Sequence, residues 1–245
     1  MRKITAVTFD LWDTLIQEHP GSSDRVTRTR IDKIASALED ARRPHRIDEI
    51  EEAYRKVGTF LELTWAKARD MPVRDHVLFM LSCVECRLPS KLTADQFEDI
   101  LQIYSDSILD HPPMLLPKAM ETLQKVYEEG YRIGLISNTG KTPGKTLRKL
   151  MDGWKILQYF EVTTFSNEIM VRKPAEAAFR VTLERLKVLP KSTVHIGDNA
   201  EHDVAAAKRL GMHAIHVVRG GGEPSKVADG FVSSLDEVVG IIDSL

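Results

Sequence analysis

From residue 110 to the C-terminus the chain alternates between helical and strand patterns, and this alternation constrains its fold more than any other feature. After His111-Pro112-Pro113, a helix is expected over 118–129, ended by Gly130. The strand YRIGLIS follows, then a helix near 144–152, a short strand at VTTF and a helix over 176–186. The strand STVHIG, a helix over 201–210 stopped by Gly211, the strand HAIHVV, a DGFV segment and a helix near 235–243 complete the series. Crossovers of this kind build a parallel, doubly wound α/β sheet, a Rossmann-like core with helices on both faces. The short apolar run ITAVTF at 4–9 reads as a buried strand of the same sheet.

The intervening segment has a different period. Ile31, Ile34, Ala35 and Leu38 keep helical spacing, as do Ile50, Ala53, Tyr54, Val57 and Leu61. Met71-Pro72 opens another helix, with the proline in its tolerated first turn. Thr93-Ala-Asp-Gln96 forms a capping box ahead of Phe97, Ile100, Leu101 and Tyr104. The expected organisation is therefore an α/β core from 1–17 and 110–245, interrupted by an all-helical insertion at 18–109. A chain of 245 residues can give both parts hydrophobic cores.

Composition narrows the partners. A formal net charge of -2, without a basic cluster, argues against nucleic acid. No apolar run reaches the roughly 18 residues needed for a membrane span. The start, MRKITAVTFD, meets a charge too early for a signal peptide. Two cysteines cannot make a disulfide framework and suit a reducing cytoplasm. Cys83 and Cys86 form a lone CxxC without a second ligand pair, and their spacing places both on one helix face as core residues.

In open α/β sheets the ligand site lies beyond the carboxyl ends of the strands. The polar residues expected there are Asp10 after the first strand, Ser137-Asn138-Thr139 after YRIGLIS, Lys173 in VRKPAEAAF, and Asp198 and Asp203 in GDNAEHD. These residue types make a complete set for phosphoryl chemistry. A carboxylate can attack phosphorus and split one difficult displacement into two. A small hydroxyl and backbone N–H groups can hold phosphoryl oxygens. A lysine can offset the charge that builds on them. Oxygens around Asp10 and Asp198 suit Mg²⁺, which binds through few carboxylates. Each such contact is worth about 10²–10³ in rate.

The chain resembles the haloacid dehalogenase-like (HAD) hydrolase superfamily along nearly its whole length. FDLWDTL at 9–15 matches the first motif, SNT the second, Lys173-Pro174 with Phe179 the third, and GDNAEHD the fourth. The helical insertion looks like the superfamily's C1-type cap. The resemblance implies that Asp10 is the nucleophile and that Ser137 and Lys173 hold the phosphoryl group, with Asn138 beside them at the substrate. It implies Mg²⁺ held by Asp10, the backbone carbonyl of Trp12 and Asp198, with Asp203 as a ligand or as support behind the ligands. It implies a small phosphorylated substrate that the cap helps to read, with Arg25, Arg28, Arg30 and Trp65 as candidate readers.

One position departs from the pattern. The superfamily's phosphatases usually read D-x-D-x-T-L, the second Asp protonating the leaving oxygen and later activating water. Thr14 and Leu15 are in register, so Trp12 occupies the place of that acid and Asp13 a place where glycine is common. An indole N–H has no usable acid–base chemistry near neutrality, and general acid–base help is worth about 10²–10⁴ in rate. Three readings follow: a phosphatase that is slow or selective for good leaving groups, a dehalogenase, or a ligand-binding relative with weak catalysis. The superfamily's dehalogenases also carry a bulky residue at this place, but they generally lack the acids of the fourth motif. Asp198 and Asp203 therefore favour phosphoryl chemistry. A nucleotide-binding loop at TGKTPGKT (139–146) is disfavoured, because its required first glycine is Thr139 and Pro143 removes a needed N–H. Arg219-Gly-Gly-Gly-Glu reads as a flexible loop near the crevice.

Overall fold

The computed structural model describes residues 3–245, so the first two residues of MRKITAVTFD lie outside it. β1 (Ala6–Phe9) is followed by two minor strands, β2 (Ile16–Gln17) and β3 (Met114–Leu115), then β4 (Arg132–Ser137) and β5 (Val162–Phe165). β6 (Thr193–Gly197), β7 (His213–Val217) and β8 (Gly230–Val232) complete the strands. Six of them form one sheet in the order β5-β4-β1-β6-β7-β8, and every pairing is parallel. β1 lies between β4 and β6, so the direction of winding reverses there and a crevice opens at their carboxyl ends.

Strand alternation explains why both faces are covered. Val7, Phe9, Ile133, Leu135, Val194, Ile196, Ile215 and Val217 point into one core cluster. Ile136 and Ala214 serve the cluster on the other face. The first cluster is completed by residues of α6 (Ala119–Glu128), α7 (Gly144–Gly153) and α11 (Val238–Ile242). The second takes Phe179 and Leu183 from α9 (Glu176–Leu186) and Ala206 and Ala207 from α10 (Ala206–Arg209). The short α8 (Ser166–Ile169) follows β5.

Between β2 and β3 stand α1 (Ser22–Asp40), α2 (Ile47–Trp65), α3 (Val73–Val84), the one-turn α4 (Leu88–Lys91) and α5 (Ala94–Asp106). They bury their own apolar cluster, centred on Ile34, Ile50, Leu61, Met80 and Ile100. Each side chain buried there stabilises the fold by roughly 1.5–3 kcal/mol relative to exposure. The capping box at Thr93 is formed in full, with Gln96 N–H donating to Thr93 Oγ1 and Gln96 Oε1 accepting from Thr93 N–H. Pro72 stands at the N-cap, one place before the first turn expected for it.

Two joints tie the insertion to the sheet. β2 and β3 pair antiparallel, Gln17 opposite Met114, where the chain leaves and returns. The second joint is an antiparallel bridge between Arg69 and Val171, flanked by Asp70 N–H to Met170 O (3.1 Å) and Arg172 N–H to Ala68 O (3.0 Å). Buried Asp70 accepts there from Arg172 Nη1 at 2.8 Å, Trp65 Nε1 at 3.2 Å, and the hydroxyls of Ser166 and Thr139. The Arg172 guanidinium lies 4.3 Å from the Trp65 ring centroid.

Two further local expectations are corrected. Cys86 lies beyond the end of α3 and is exposed, while Cys83 is half-buried, so the two thiols do not share a core face. The helix expected over 201–210 begins as a π-helical turn, Ala200–Ala205, before α10. Asn199 caps this turn, its Oδ1 accepting from Glu201 N–H and His202 N–H. Asp203 also folds back onto Asn199 N–H at 3.0 Å, which competes with a regular first turn.

Candidate active site

A cleft of about 490 Å³ lies at the carboxyl ends of β1, β4 and β6. Asp10, Trp12, Asp13, Asn138, Lys173, Asp198 and Asp203 all line it. The structure thus brings together residues from all four motifs, although they are up to 193 positions apart in the chain (203 minus 10).

Asp10 follows β1 directly, and its N–H is held by Ile196 O at 2.9 Å, fixing the strand exit against β6. The carboxylate Oδ1 accepts from Lys173 Nζ at 2.7 Å. Lys173 is buried and also donates to Asp203 Oδ1 at 2.5 Å. Burial opposes its charge, but Asp10 and Asp203 outweigh burial and hold the ammonium protonated. Asn138 clamps this lysine's backbone from both sides, donating to Lys173 O (3.0 Å) and accepting from Lys173 N–H (2.8 Å). Ser137 is buried at the end of β4 with its hydroxyl 3.4 Å from Asn138 O, and the cleft wall on this strand is formed by Asn138.

Asp203 is wholly buried and fully engaged. Oδ1 meets Lys173 Nζ and His195 Nε2 (3.1 Å), and Oδ2 accepts from Asn199 N–H. Burial works against its charge, yet Lys173 and His195 dominate and hold its carboxyl well below the usual range. His195 lies between Asp203 and Thr8, with Nδ1 2.9 Å from Thr8 Oγ1, and burial keeps the imidazole neutral. The consistent tautomer is protonated on Nε2, facing the carboxylate. Gly197 makes this packing possible, because a Cβ there would lie 2.3 Å from Asp203 Cγ.

Asp198 stands at the exit of β6. Its Oδ1 accepts from Thr14 Oγ1 at 3.3 Å, and its backbone carbonyl accepts from His216 Nε2 at 2.8 Å. Burial, with Asp203 and Asp13 nearby, raises its carboxyl pKa. Burial likewise pushes Asp10 up to about 7, Lys173 offsetting part of the effect and Asp203 adding to it. Carboxylate oxygens of Asp10, Asp198 and Asp203 lie within 4.8 Å of one another. Three acids against one ammonium leave an excess of two negative charges, all on hard oxygen donors. That donor set fits a divalent cation such as Mg²⁺.

The loop carrying Trp12 and Asp13 is a tight turn: Asp13 N–H donates to Ile16 O (2.7 Å), and Leu15 and Ile16 N–H both donate to Leu11 O. Asp13 has φ 55, the left-handed region that glycine favours and aspartate tolerates. An aspartate can therefore take the place where glycine is common. Arg219, from the glycine-rich loop after β7, donates to the carbonyls of Asp13 and Thr14 (3.0 Å for Thr14), so that loop braces the turn. Half-buried Trp12 packs on the main core cluster while facing the cleft. The segment 139–146 is used structurally. Gly144 N–H donates to Asn167 Oδ1, and a Cβ there would meet the Phe165 ring at 2.4 Å.

His195, Asn199, Thr14 and the Asp70–Arg172 pair are contributors that sequence reasoning missed. A histidine inside the buried run STVHIG was the available signal for His195, because an uncompensated imidazole there needs partners.

Comparison with known proteins agrees with the geometry. The haloacid dehalogenase-like hydrolase family model matches residues 4–211. A haloacid dehalogenase-like hydrolase domain-containing protein 3 from Xenopus laevis is 32% identical over 46% of this chain and 45% of its own. A glyceraldehyde 3-phosphate phosphatase from Methanocaldococcus jannaschii is 28% identical over 53% of this chain, so the chain spans about half the length of these two relatives (57% in the second case). A phosphoglycolate phosphatase from Salmonella typhimurium is 23% identical over 90% of this chain and 83% of its own. Among solved structures, a HAD phosphatase from Thermococcus onnurineus superposes with TM-score 0.62 at 25% identity, covering 98% of both chains. A 2-haloacid dehalogenase from Pseudomonas syringae shares the fold, with TM-score 0.72 at 19% identity over 98% of this chain and 99% of its own. On the family match, the four motifs and the fold, the chain belongs to the haloacid dehalogenase-like hydrolases.

Proposed function

We propose that this chain is a Mg²⁺-dependent phosphatase of small phosphorylated molecules, working through an aspartyl-phosphate on Asp10. The observation that carries the reading is the clustering of Asp198 and Asp203 with Asp10 around one buried lysine. A carbon–halogen hydrolase needs the nucleophile but not the acid cluster. Phosphatases among the relatives point the same way.

In this reading Asp10 attacks phosphorus, the bond to the leaving oxygen breaks, and water later displaces phosphate from the acyl phosphate, restoring the carboxylate. Lys173 neutralises charge on the phosphoryl oxygens, with Asn138 fixing its backbone and Asp203 its ammonium. Ser137, at the end of β4, would hold a phosphoryl oxygen through its hydroxyl together with Lys173. Asp10, Asp198 and the Trp12 carbonyl would hold Mg²⁺, while Asp203, its oxygens already occupied, supports them from behind. When bound, the cation supplies charge neutralisation at the phosphoryl group. Trp12 donates no proton, so the leaving oxygen departs as an anion or takes its proton from water. Good leaving groups are therefore favoured. The helical insertion, with boundaries near 18 and 109, would act as a C1-type cap that excludes water. No helix among the described residues is long and apolar enough to cross a membrane.

The test is hydrolysis of p-nitrophenyl phosphate, comparing Mg²⁺ with EDTA and the native chain with Asp10→Asn. Metal-dependent turnover that the substitution removes is expected. Halide release from 2-haloacids without phosphate release would reverse the assignment. Silence in both assays would leave a binding protein. Trp12 is the feature that favours the dehalogenase alternative, because bulk at this place is tolerated when no proton need be delivered.

A further inference from the structure

Beside the catalytic cleft lies a second cavity of about 380 Å³, and Trp12 and Trp65 line both. Two cations face this second space, Arg30 from α1 and Lys141 from the loop after β4. Arg30 is almost entirely buried. Its Nε donates to Tyr104 O and its Nη1 to Tyr54 Oη, both at 2.6 Å, and its guanidinium lies 4.9 Å from the Tyr104 ring centroid. Nη2 is buried with no hydrogen-bond partner. Lys141 sits with Nζ 3.7 Å from the centroid of Tyr54. Among the described residues neither cation has an ion-pair partner, and the single carboxylate lining the cavity, Glu18, is exposed.

A buried guanidinium without a counter-charge is costly, and aromatic faces offset only part of that cost. Elsewhere among the described residues the buried Lys173 is paired with Asp10 and Asp203, and the partly buried Arg172 with Asp70. The potential here is positive enough to hold the Tyr54 phenol below its usual range, Arg30 and Lys141 overcoming the opposite pull of burial. Arg30, which lacks a counter-charge, and Lys141 both line this space, and an anion there would complete them.

We propose that this cavity is a subsite for a second anionic group on the substrate, a carboxylate or a second phosphate, at the end remote from the reacting phosphate. The inference rests on the phosphomonoester reading and adds the substrate class. The two indoles then form the passage between the reacting end of the ester and its anchored end.

The test is a series of straight-chain phosphate monoesters of increasing length, ended by carboxylate, phosphate, methyl or ammonium. At the best length, kcat/KM for an anionic terminus should exceed that for methyl by roughly tenfold or more. The ammonium terminus should fall below methyl. The carboxylate and phosphate arms identify which anion is accepted. Lys141→Glu should invert the anion-to-ammonium preference, and Arg30→Met should collapse it while Arg30→Lys retains part. Because Arg30 is packed between two tyrosines and its variants are at risk of misfolding, the half-exposed Lys141 carries the decision. Equal kcat/KM for anionic and methyl termini at every length, with p-nitrophenyl phosphate turned over, would overturn the subsite alone. Straight-chain esters left intact while p-nitrophenyl phosphate turns over reflect their poor leaving groups, whereas an inert p-nitrophenyl phosphate as well overturns the phosphatase reading by itself. Calorimetric binding of ω-carboxyalkylphosphonates against alkylphosphonates then decides the subsite, equal affinities sinking it and a tenfold gap lost in Lys141→Glu upholding it.

Discussion

Replacing Gly197 with alanine tests the central packing of the site. The added methyl carbon would lie 2.3 Å from Asp203 Cγ and 2.6 Å from its Oδ2. Carbon contacts normally settle near 3.5–4.0 Å, so the carboxylate must retreat by more than about 1 Å. It cannot do so and keep its contacts to Lys173 Nζ, His195 Nε2 and Asn199 N–H at 2.5, 3.1 and 3.0 Å. Breaking one side of a buried ion pair costs about 3–5 kcal/mol. For a chain of this size that lowers Tm by roughly 10 °C. A displacement on this scale at Lys173 should also lower kcat by about 10²-fold. The assay is calorimetric melting together with p-nitrophenyl phosphate turnover. Gly240→Ala serves as the control, since Gly240 is an exposed helical position with nothing within 4 Å of an added Cβ. It should be neutral or stabilising by about 0.5–1 kcal/mol. A Gly197→Ala protein that melts with the native chain and keeps its turnover would refute the claim that Asp203 is held against the end of β6.

Trp12→Asp should raise turnover of alkyl phosphates more than that of p-nitrophenyl phosphate, by up to about 10²-fold in the ratio, because only poor leaving groups need a proton. An unchanged ratio would show that Trp12 is not standing in for a missing acid. Acid stability should depend on His76, which packs edge-on against Tyr104 and whose imidazole burial pushes down to about 4. The unfolded chain takes up a proton on this residue below pH 6.5 while the fold does not. Stability from this group is therefore complete above 6.5 and falls by about 3 kcal/mol as pH drops to 4. His76→Leu should flatten that limb, read as the difference between the two proteins' denaturant curves at pH 7 and pH 4. Parallel curves would place the acid sensitivity elsewhere.

The parts of this fold that repeat with a period were legible in the sequence. The helix expected over 176–186 and the strand at VTTF match α9 and β5 residue for residue, because apolar spacing and end signals agree there. The strand-end residues converge on one cleft for the same reason, since a parallel sheet aims every strand exit at one edge. What stayed hidden depends on partners far apart in the chain and on irregular backbone. Asp70 finds Arg172 and Thr139 through a loop-to-loop bridge that no period announces. The π-helical start of the helix after β6 reflects Asp203 turning back onto Asn199, a competition between side chain and backbone. Asp13 stands where glycine is common, and its positive φ gives the conformational reason.

The antiparallel ladder of β2 and β3 has a consequence for how such a chain tolerates its own length. Gln17 and Met114 face each other, so the helical insertion leaves and re-enters the core through a single narrow doorway. Loop-closure entropy grows only slowly with the length of chain enclosed, by about 0.6 kcal/mol per doubling, and here the ends are joined by the ladder. At this joint the sheet meets the helical insertion as though it were the turn of a hairpin, and the Arg69–Val171 bridge is the second point at which the two are fastened. An insertion of different size fits the same doorway, provided that it still supplies the Asp70 contacts to Thr139, Ser166 and Arg172 behind the strand exits.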